Sequence, residues 1–266
     1  MQTINAIKDG FVKLLQKHDE AECLKYIDKY DNIFNHASDS IMLHFACVYG
    51  LKKVAIALID KKCNLIYQDD DEYTALMYAH IYKLHDIVAY IIDNISDSTT
   101  RVIYNNMSEM MYISSDTNNI IKMIDKGYDI YYENEDQESL MTVAIDKKLD
   151  VIVKKLIDVD TDFIEKFEHY YYYDATKNID IDYELMSYHV NMDYPELKIP
   201  KSKKTEFYID IRKYCDDKRA TYRDTIIAVI NDKSATNALY KSFHTTYAVQ
   251  LVDIICDFLI LPTIKS

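Results

Sequence analysis

Apolar residues return along the first part of this chain at two spacings at once. Within a segment they fall three and four apart, and between segments the same set is copied every 32 or 33 residues. The dipeptide Ile-Asp marks the copies, at Ile27-Asp28, Ile59-Asp60, Ile92-Asp93, Ile124-Asp125 and Ile157-Asp158. Four places before each Ile stand Cys23, Ala55, Val88, Ile120 and Val153, and one place before it stand Tyr26, Leu58, Ile91, Met123 and Leu156. Positions i, i+3 and i+4 share one face of a helix, so the pattern predicts five helices whose buried stripes end at the landmark. The flank between them mixes Lys25, Lys122, Lys154 and Lys155 with Ile56 and Tyr90, as a less buried face does. A unit copied at this period cannot bury its apolar face alone, so successive copies are expected to stack.

A second pattern lies upstream of these helices. Ile41-Met42-Leu43-His44-Phe45-Ala46 is echoed by Thr74-Ala75-Leu76-Met77-Tyr78-Ala79 and by Ser139-Leu140-Met141-Thr142-Val143-Ala144. It resembles the Thr-Pro-Leu-His-x-Ala start of an ankyrin repeat, and Leu43 to Asp69 is the best match, with His44, Ala46, Gly50, Val54, Leu58 and Asn64 in place. The resemblance implies an all-α, ankyrin-like solenoid of helix pairs, each pair followed by a projecting hairpin finger. It implies that His44 bonds backbone near its helix start and that Gly50 makes a left-handed turn between helices. Ala46, Ala79 and Ala144 would let neighbouring helices approach. No unit keeps the Pro, and the Gly after the second helix survives only as Gly127, with Lys62 in the corresponding place. A left-handed Lys costs on the order of 1 kcal/mol. The fourth unit, Met107 to Asp136, is the most degenerate, and its second helix, Asn118 to Lys126, is better defined than its first. The first unit, Phe11 to Asp39, lacks the motif and is expected to cap the array with a polar face of Lys13, Gln16, Lys17, Glu20 and Glu22.

The period stops near Glu165. Residues 165–204 hold Pro195 and Pro200 and alternate Asp, Asn and Tyr, which predicts an irregular connection with a short helix near Glu184. The one basic tract, Lys198 to Lys204, reads as a solvated linker. Three helical pieces are expected beyond it: Thr205 to Cys215, Ala220 to Ile230 and Ala235 to about Ile260. Gln250, Asp253 and Asp257 interrupt the last run too often for a membrane span. The expected organisation is therefore about five ankyrin-like units over 1–164, the connection over 165–204 and a helical region over 205–266. That region would either cover the open end of the array or dock a second protein. Some poxvirus ankyrin proteins end in an F-box-like segment that recruits a ubiquitin ligase; Leu259-Ile260-Leu261-Pro262 bears a faint likeness to it, with the Leu-Pro at the wrong end.

Composition narrows the function. The chain is 49% hydrophobic, enough for a continuous core, and its five Cys form no close pair, which suits reduced thiols in a cytoplasmic setting. The first ten residues lack the apolar run of an export signal, so Asn94-Ile95-Ser96 and Asn106-Met107-Ser108 are expected to carry no glycan. Ile, Asn, Lys, Asp and Tyr are abundant and Gly is scarce, a composition that together with worn repeats is similar to proteins of large DNA viruses. A formal net charge of -13 opposes binding to nucleic acid or to anionic membranes and favours a protein partner, most easily a basic one.

Acidic clusters fall where fingers would project, at Asp69-Asp70-Asp71-Glu72 and from Glu133 through Glu135 to Glu138. Tyrosines near the same tips, Tyr73, Tyr104, Tyr131 and Tyr132, together with Tyr49 and Tyr82 on the first helices, complete the candidate partner-binding set. Three Gly in the whole chain leave no phosphate cradle, dinucleotide turn or nucleophile elbow, and the eight His and five Cys show no metal-binding spacing. The expectation is a non-enzymatic scaffold without cofactor that binds a protein through finger tips and inner helices. The alternatives are an adaptor joining a target to a ubiquitin ligase or other machinery, and a structural component of an assembly.

Overall fold

The computed structural model describes residues 4–30, 41–103, 106–176, 205–234 and 236–245. The chain divides into two compact units between Ile152 and Val153. In the first unit helices pair in order along the chain. α1 (Ile4–Gln16) precedes α2 (Glu20–Lys29), α3 (Ile41–Val48) precedes α4 (Lys52–Asp60), and α5 (Ala75–Ile81) precedes α6 (His85–Asn94). A two-stranded hairpin, β1 (Val102–Ile103) with β2 (Met107–Ser108), leads into α7 (Glu109–Tyr112) and α8 (Thr117–Asp125), and α9 (Leu140–Asp146) is followed by α10 (Asp150–Val159), within which the division between the units falls. First helices pack on first helices, α1 on α3, α3 on α5 and α7 on α9, while second helices form their own row from α2 through α4 and α6 to α8. The fold is all-α and ankyrin-like. Helix α1 starts at Ile4, upstream of the expected Phe11, because Ile7 and Phe11 both turn into the core.

Local sequence accounts for the helix ends. Thr74, Ser108 and Ser139 are N-caps whose hydroxyls accept from the amides of Met77, Met111 and Thr142, and the Thr142 hydroxyl in turn accepts from the Ser139 amide at 2.8 Å. Such caps contribute about 1 kcal/mol each. The landmark Ile side chains, Ile27, Ile59, Ile92 and Ile124, are all buried. Their Asp neighbours tie rungs together: Asp28 pairs with Lys61 at 3.9 Å, Asp60 accepts from the Tyr90 hydroxyl at 2.6 Å, and Asp93 accepts from Lys122 at 2.5 Å.

Left-handed residues recur with the repeat. Between first and second helices they are His18, Gly50, Lys83 and Lys148; after second helices they are Lys62 and Gly127; in the fingers they are Glu72, Asn106 and Gln137. Lys62, at φ +63, thus holds the turn that Gly127 holds at φ +80.

The fourth rung departs from the others. Its first helix is a single turn of four residues, and a buried ion pair, Arg101 with Glu109 at 3.4 Å, stands beneath it. The Thr74 hydroxyl from the third rung donates to the same carboxylate. Burial pushes the Glu109 carboxyl above its ordinary range, against the opposing pull of Arg101 and Thr74.

In the second unit, α11 runs Asp162–Thr176, α12 runs Glu206–Asn231 and α13 runs Ala238–Thr245. Two expectations change here. The Tyr-rich stretch after Glu165 continues as helix to Thr176, anchored by buried Phe163, Ile164 and Phe167. The two pieces placed at Thr205 to Cys215 and Ala220 to Ile230 are one helix, because the polar residues between them remain helical and have partners. Arg219 is buried and donates through both terminal nitrogens to the Glu168 carboxylate, each at 2.7 Å. The expected short helix near Glu184, the basic tract and most of the run to Ile260 lie outside the described residues. No helix among the described residues is long and apolar enough to cross a membrane.

Candidate functional site

The two acidic fingers are each built around one side chain. Asp69 accepts the amides of Asp71 at 3.1 Å and Tyr73 at 2.9 Å on Oδ1 and the Tyr78 hydroxyl at 2.7 Å on Oδ2. Its main chain closes the loop, the Asp69 amide donating to the Tyr73 carbonyl and the Glu72 amide to the Asp69 carbonyl. Sixty-five residues on, Asn134 repeats the arrangement, its Oδ1 accepting the amides of Asp136 at 3.1 Å and Glu138 at 2.8 Å. A short polar side chain that captures backbone two and four residues ahead shapes the tip in both.

His44 also belongs to the first finger rather than to the backbone at its own helix start. Its ring lies between Tyr67 and Tyr78, with Nδ1 3.7 Å from Asp69. Burial holds its pKa down at about 4, with Asp69 and the Tyr67 main chain pulling the other way. The neutral imidazole therefore packs as a flat polar wedge under the tip.

The fingers are laced to one another. Gln68 donates its amide to the carbonyls of Glu72 at 2.8 Å and Val102 at 2.9 Å, joining the first finger to the hairpin. Tyr132 donates to the Asn106 carbonyl at 2.8 Å, joining the hairpin to the third, and Thr100 donates to Asp129 at 3.2 Å. Above this lacing Asp70, Asp71, Glu72, Glu133, Glu135 and Asp136 stand exposed, with no cation in either tip. Fixed like charges on a rigid edge add their fields.

The candidate residues separate accordingly. Asp70, Asp71, Glu72, Glu133 and Glu135 are exposed on the fingers, and Tyr131 beside them is 50% exposed. The Asp69 carboxylate is used inside its finger, Tyr132 spends its hydroxyl on the lacing, and Tyr73 packs its ring against Tyr78 and Tyr112. Tyr49 and Tyr82 sit at the far ends of the first helices, away from the tips. Tyr49 lies against His18 and Phe45, and the exposed Tyr82 caps α5. Tyr104 lies outside the described residues.

Sequence reasoning passed over Gln68, Asn134 and Tyr78; the 65-residue spacing of Asp69 and Asn134 was the available signal. Among the described residues no group of His, Cys, Asp and Glu could hold a metal ion. Cys23, Cys47, Cys63 and Cys215 are buried free thiols, and burial pushes Cys47, Cys63 and Cys215 up to about 12, far from thiolate chemistry.

A family model described as ankyrin repeats, in three copies, matches residues 4–101. Comparison with curated proteins finds no match to the chain. The matched residues span the first three rungs and stop at Arg101, where the polar pair of the fourth rung begins.

Proposed function

We propose that the finger edge captures a protein partner noncovalently through a basic surface, with residues 1–164 as the interaction array. Ankyrin repeats generally mediate protein–protein interaction. The observation that carries the finer reading is the pair of acidic tips, shaped alike by Asp69 and Asn134, laced into one edge and free of Lys or Arg. Such an edge steers a cationic surface toward it and repels polyanions, so nucleic acid is a poor ligand for it. The test is capture by the immobilised full chain compared with a variant carrying Asp70→Lys, Asp71→Lys and Glu72→Lys. Loss of the captured protein, deepening as salt is lowered, supports the reading; undiminished capture at low salt removes the acidic edge from it. Asp69 is left intact because it builds the finger.

The adaptor reading has one observation of its own. Helix α12 exposes Ile209 at 62% and Val229 at 47%, apolar side chains that a second protein would cover. Ile209→Asp with Val229→Asp in the full chain should then remove one captured protein and leave the finger-bound one.

A further inference from the structure

At the other end of the same helix pairs, where first helices turn into second, His80, Ile81, Lys83, His85, Tyr112 and Ser115 line an open cavity of about 420 Å³ between the third and fourth rungs. It is separated from the fingers by the length of α5, roughly 10 Å at 1.5 Å per residue. Its lining is unusual for this chain. Asp and Glu number 44, yet none is among the six lining residues, which bring one ammonium, two imidazoles and two hydroxyls.

The carboxylate behind the wall, Asp116, is buried and already supplied with donors: Nδ1 of His85 lies at 2.6 Å from its Oδ2 and Nδ2 of Asn119 at 2.8 Å. Asn119 also reaches the His85 carbonyl at 3.1 Å, which fixes that turn. His80 has Nε2 3.3 Å from the Ser115 hydroxyl, while its Nδ1 is buried with no hydrogen-bond partner. A buried polar atom left in this way costs about 1–3 kcal/mol. Lys83 projects from a left-handed turn at φ +58 and forms no ion pair among the described residues. The N-cap of α6, Leu84, offers no side-chain cap, but the first turn carries Asp86, whose carboxylate takes the Asp86 and Ile87 amides and pairs with Lys52 at 2.8 Å, so this helix start is already supplied. The positive charge at this edge comes from Lys83. Lys147, whose ammonium holds Ser114 at 2.8 Å, contributes more at the same edge.

We propose that this cavity binds a compact oxyanion, a phosphoryl or carboxylate group, held by Lys83, His80 and Ser115. The half-exposed Ile81 and the Tyr112 ring give the carrier of that group an apolar wall. The groups facing His80 are Asp116, His85 and Lys147, with Ser115 and Tyr112 beside it. Burial lowers the pKa of the imidazole, with His85 and Lys147 adding to that effect against the pull of Asp116. A bound oxyanion would reverse that balance and draw a proton onto the ring.

The experiment is a titration of the full ¹⁵N-labelled chain with inorganic phosphate, phenyl phosphate and acetate, each against chloride at matched ionic strength and neutral pH. The expected result is a saturable shift of the His80, His85 and Ser115 signals with at least one of them. It should weaken about tenfold in Lys83→Gly, the loss of one charged contact, and be accompanied by a higher titration midpoint for His80. Response to phosphates alone assigns a phosphoryl group, response to acetate alone a carboxylate, and a stronger response to phenyl phosphate than to inorganic phosphate assigns the apolar wall. Both Lys83→Gly and Ser115→Ala alter exposed side chains, so the fold is retained. Absence of any saturable shift, or one that both variants leave unchanged, overturns the proposal. The finger variant should bind the anion as the parent does, so failure here leaves the finger reading separate.

Discussion

The third rung, α5 with α6, buries Leu76, Met77, Ala79, Ile87, Val88, Ile91 and Ile92, while the fourth, α7 with α8, has only one turn in its first helix and adds Arg101, Glu109, Asp116 and Asn119 to the buried set. Where apolar surface is lost with the shortened helix, hydrogen-bonded charge takes its place. A buried hydrocarbon contact stabilises whatever lies opposite it, but a buried carboxylate stabilises only while its partners remain. The fourth rung should therefore tolerate less change at fewer positions.

That difference is open to direct attack. Arg101→Met leaves the Glu109 carboxylate in the core without its cation and should cost about 3–5 kcal/mol in chemical denaturation, as much as Met77→Ala in the third rung. Replacing both partners, Arg101→Met with Glu109→Leu, should restore most of that stability. If the single change costs less than about 1 kcal/mol, polar ties do not hold the fourth rung.

Acid probes the neighbouring finger. His44 has an ordinary pKa of 6.5 and one of about 4 when folded, so the unfolded chain binds more protons between those values and stability falls as pH drops through that window. The loss should approach about 3 kcal/mol. His44→Leu should flatten most of the slope in that window, leaving the smaller part that His80 contributes; if denaturation midpoints keep the same pH dependence, another group is responsible.

Two smaller effects sharpen the contrast between turns that kept glycine and turns that lost it. Lys62→Gly should stabilise by up to about 1 kcal/mol and Gly127→Ala should destabilise by a similar amount, since both sites are left-handed. Equal responses at the two sites with opposite sign would confirm a shared geometry. Smallest of all, the Asp70, Asp71 and Glu72 reversals should shift stability by no more than about 0.5 kcal/mol, in contrast to Asp69→Ala, which removes the anchor of the loop.

Much of the array was legible because periodicity reports burial. Cys23, Ala55, Val88, Ile120 and Val153 all proved buried, as their spacing required. The weak first helix of the fourth unit was also visible, since Asn106-Met107-Ser108 has poor helix chemistry, although Ser108 still caps it. The finger positions of the acidic clusters followed from the same register. The role of Asp69 did not, because a sequence cannot show whether a carboxylate faces solvent or the amides of its own loop. The polar run Asp216 to Arg219 misled for a related reason: it looked like a break, but Glu168 supplies Arg219 with a partner 51 residues away.

From the chain alone came the period, the helix pairs, the acidic tips and the lack of glycine-based phosphate sites, because these depend on local spacing and composition. Three-dimensional packing decided which polar residues build the molecule and which remain available. Asp69, Glu109, Asp116 and Arg219 carry the same side-chain chemistry as their exposed counterparts, and the distant donors or acceptors beside them determine their use. Hydrophobic burial follows a pattern that one helix can express, whereas a hydrogen bond between rungs requires two groups that only folding brings within 3 Å of each other.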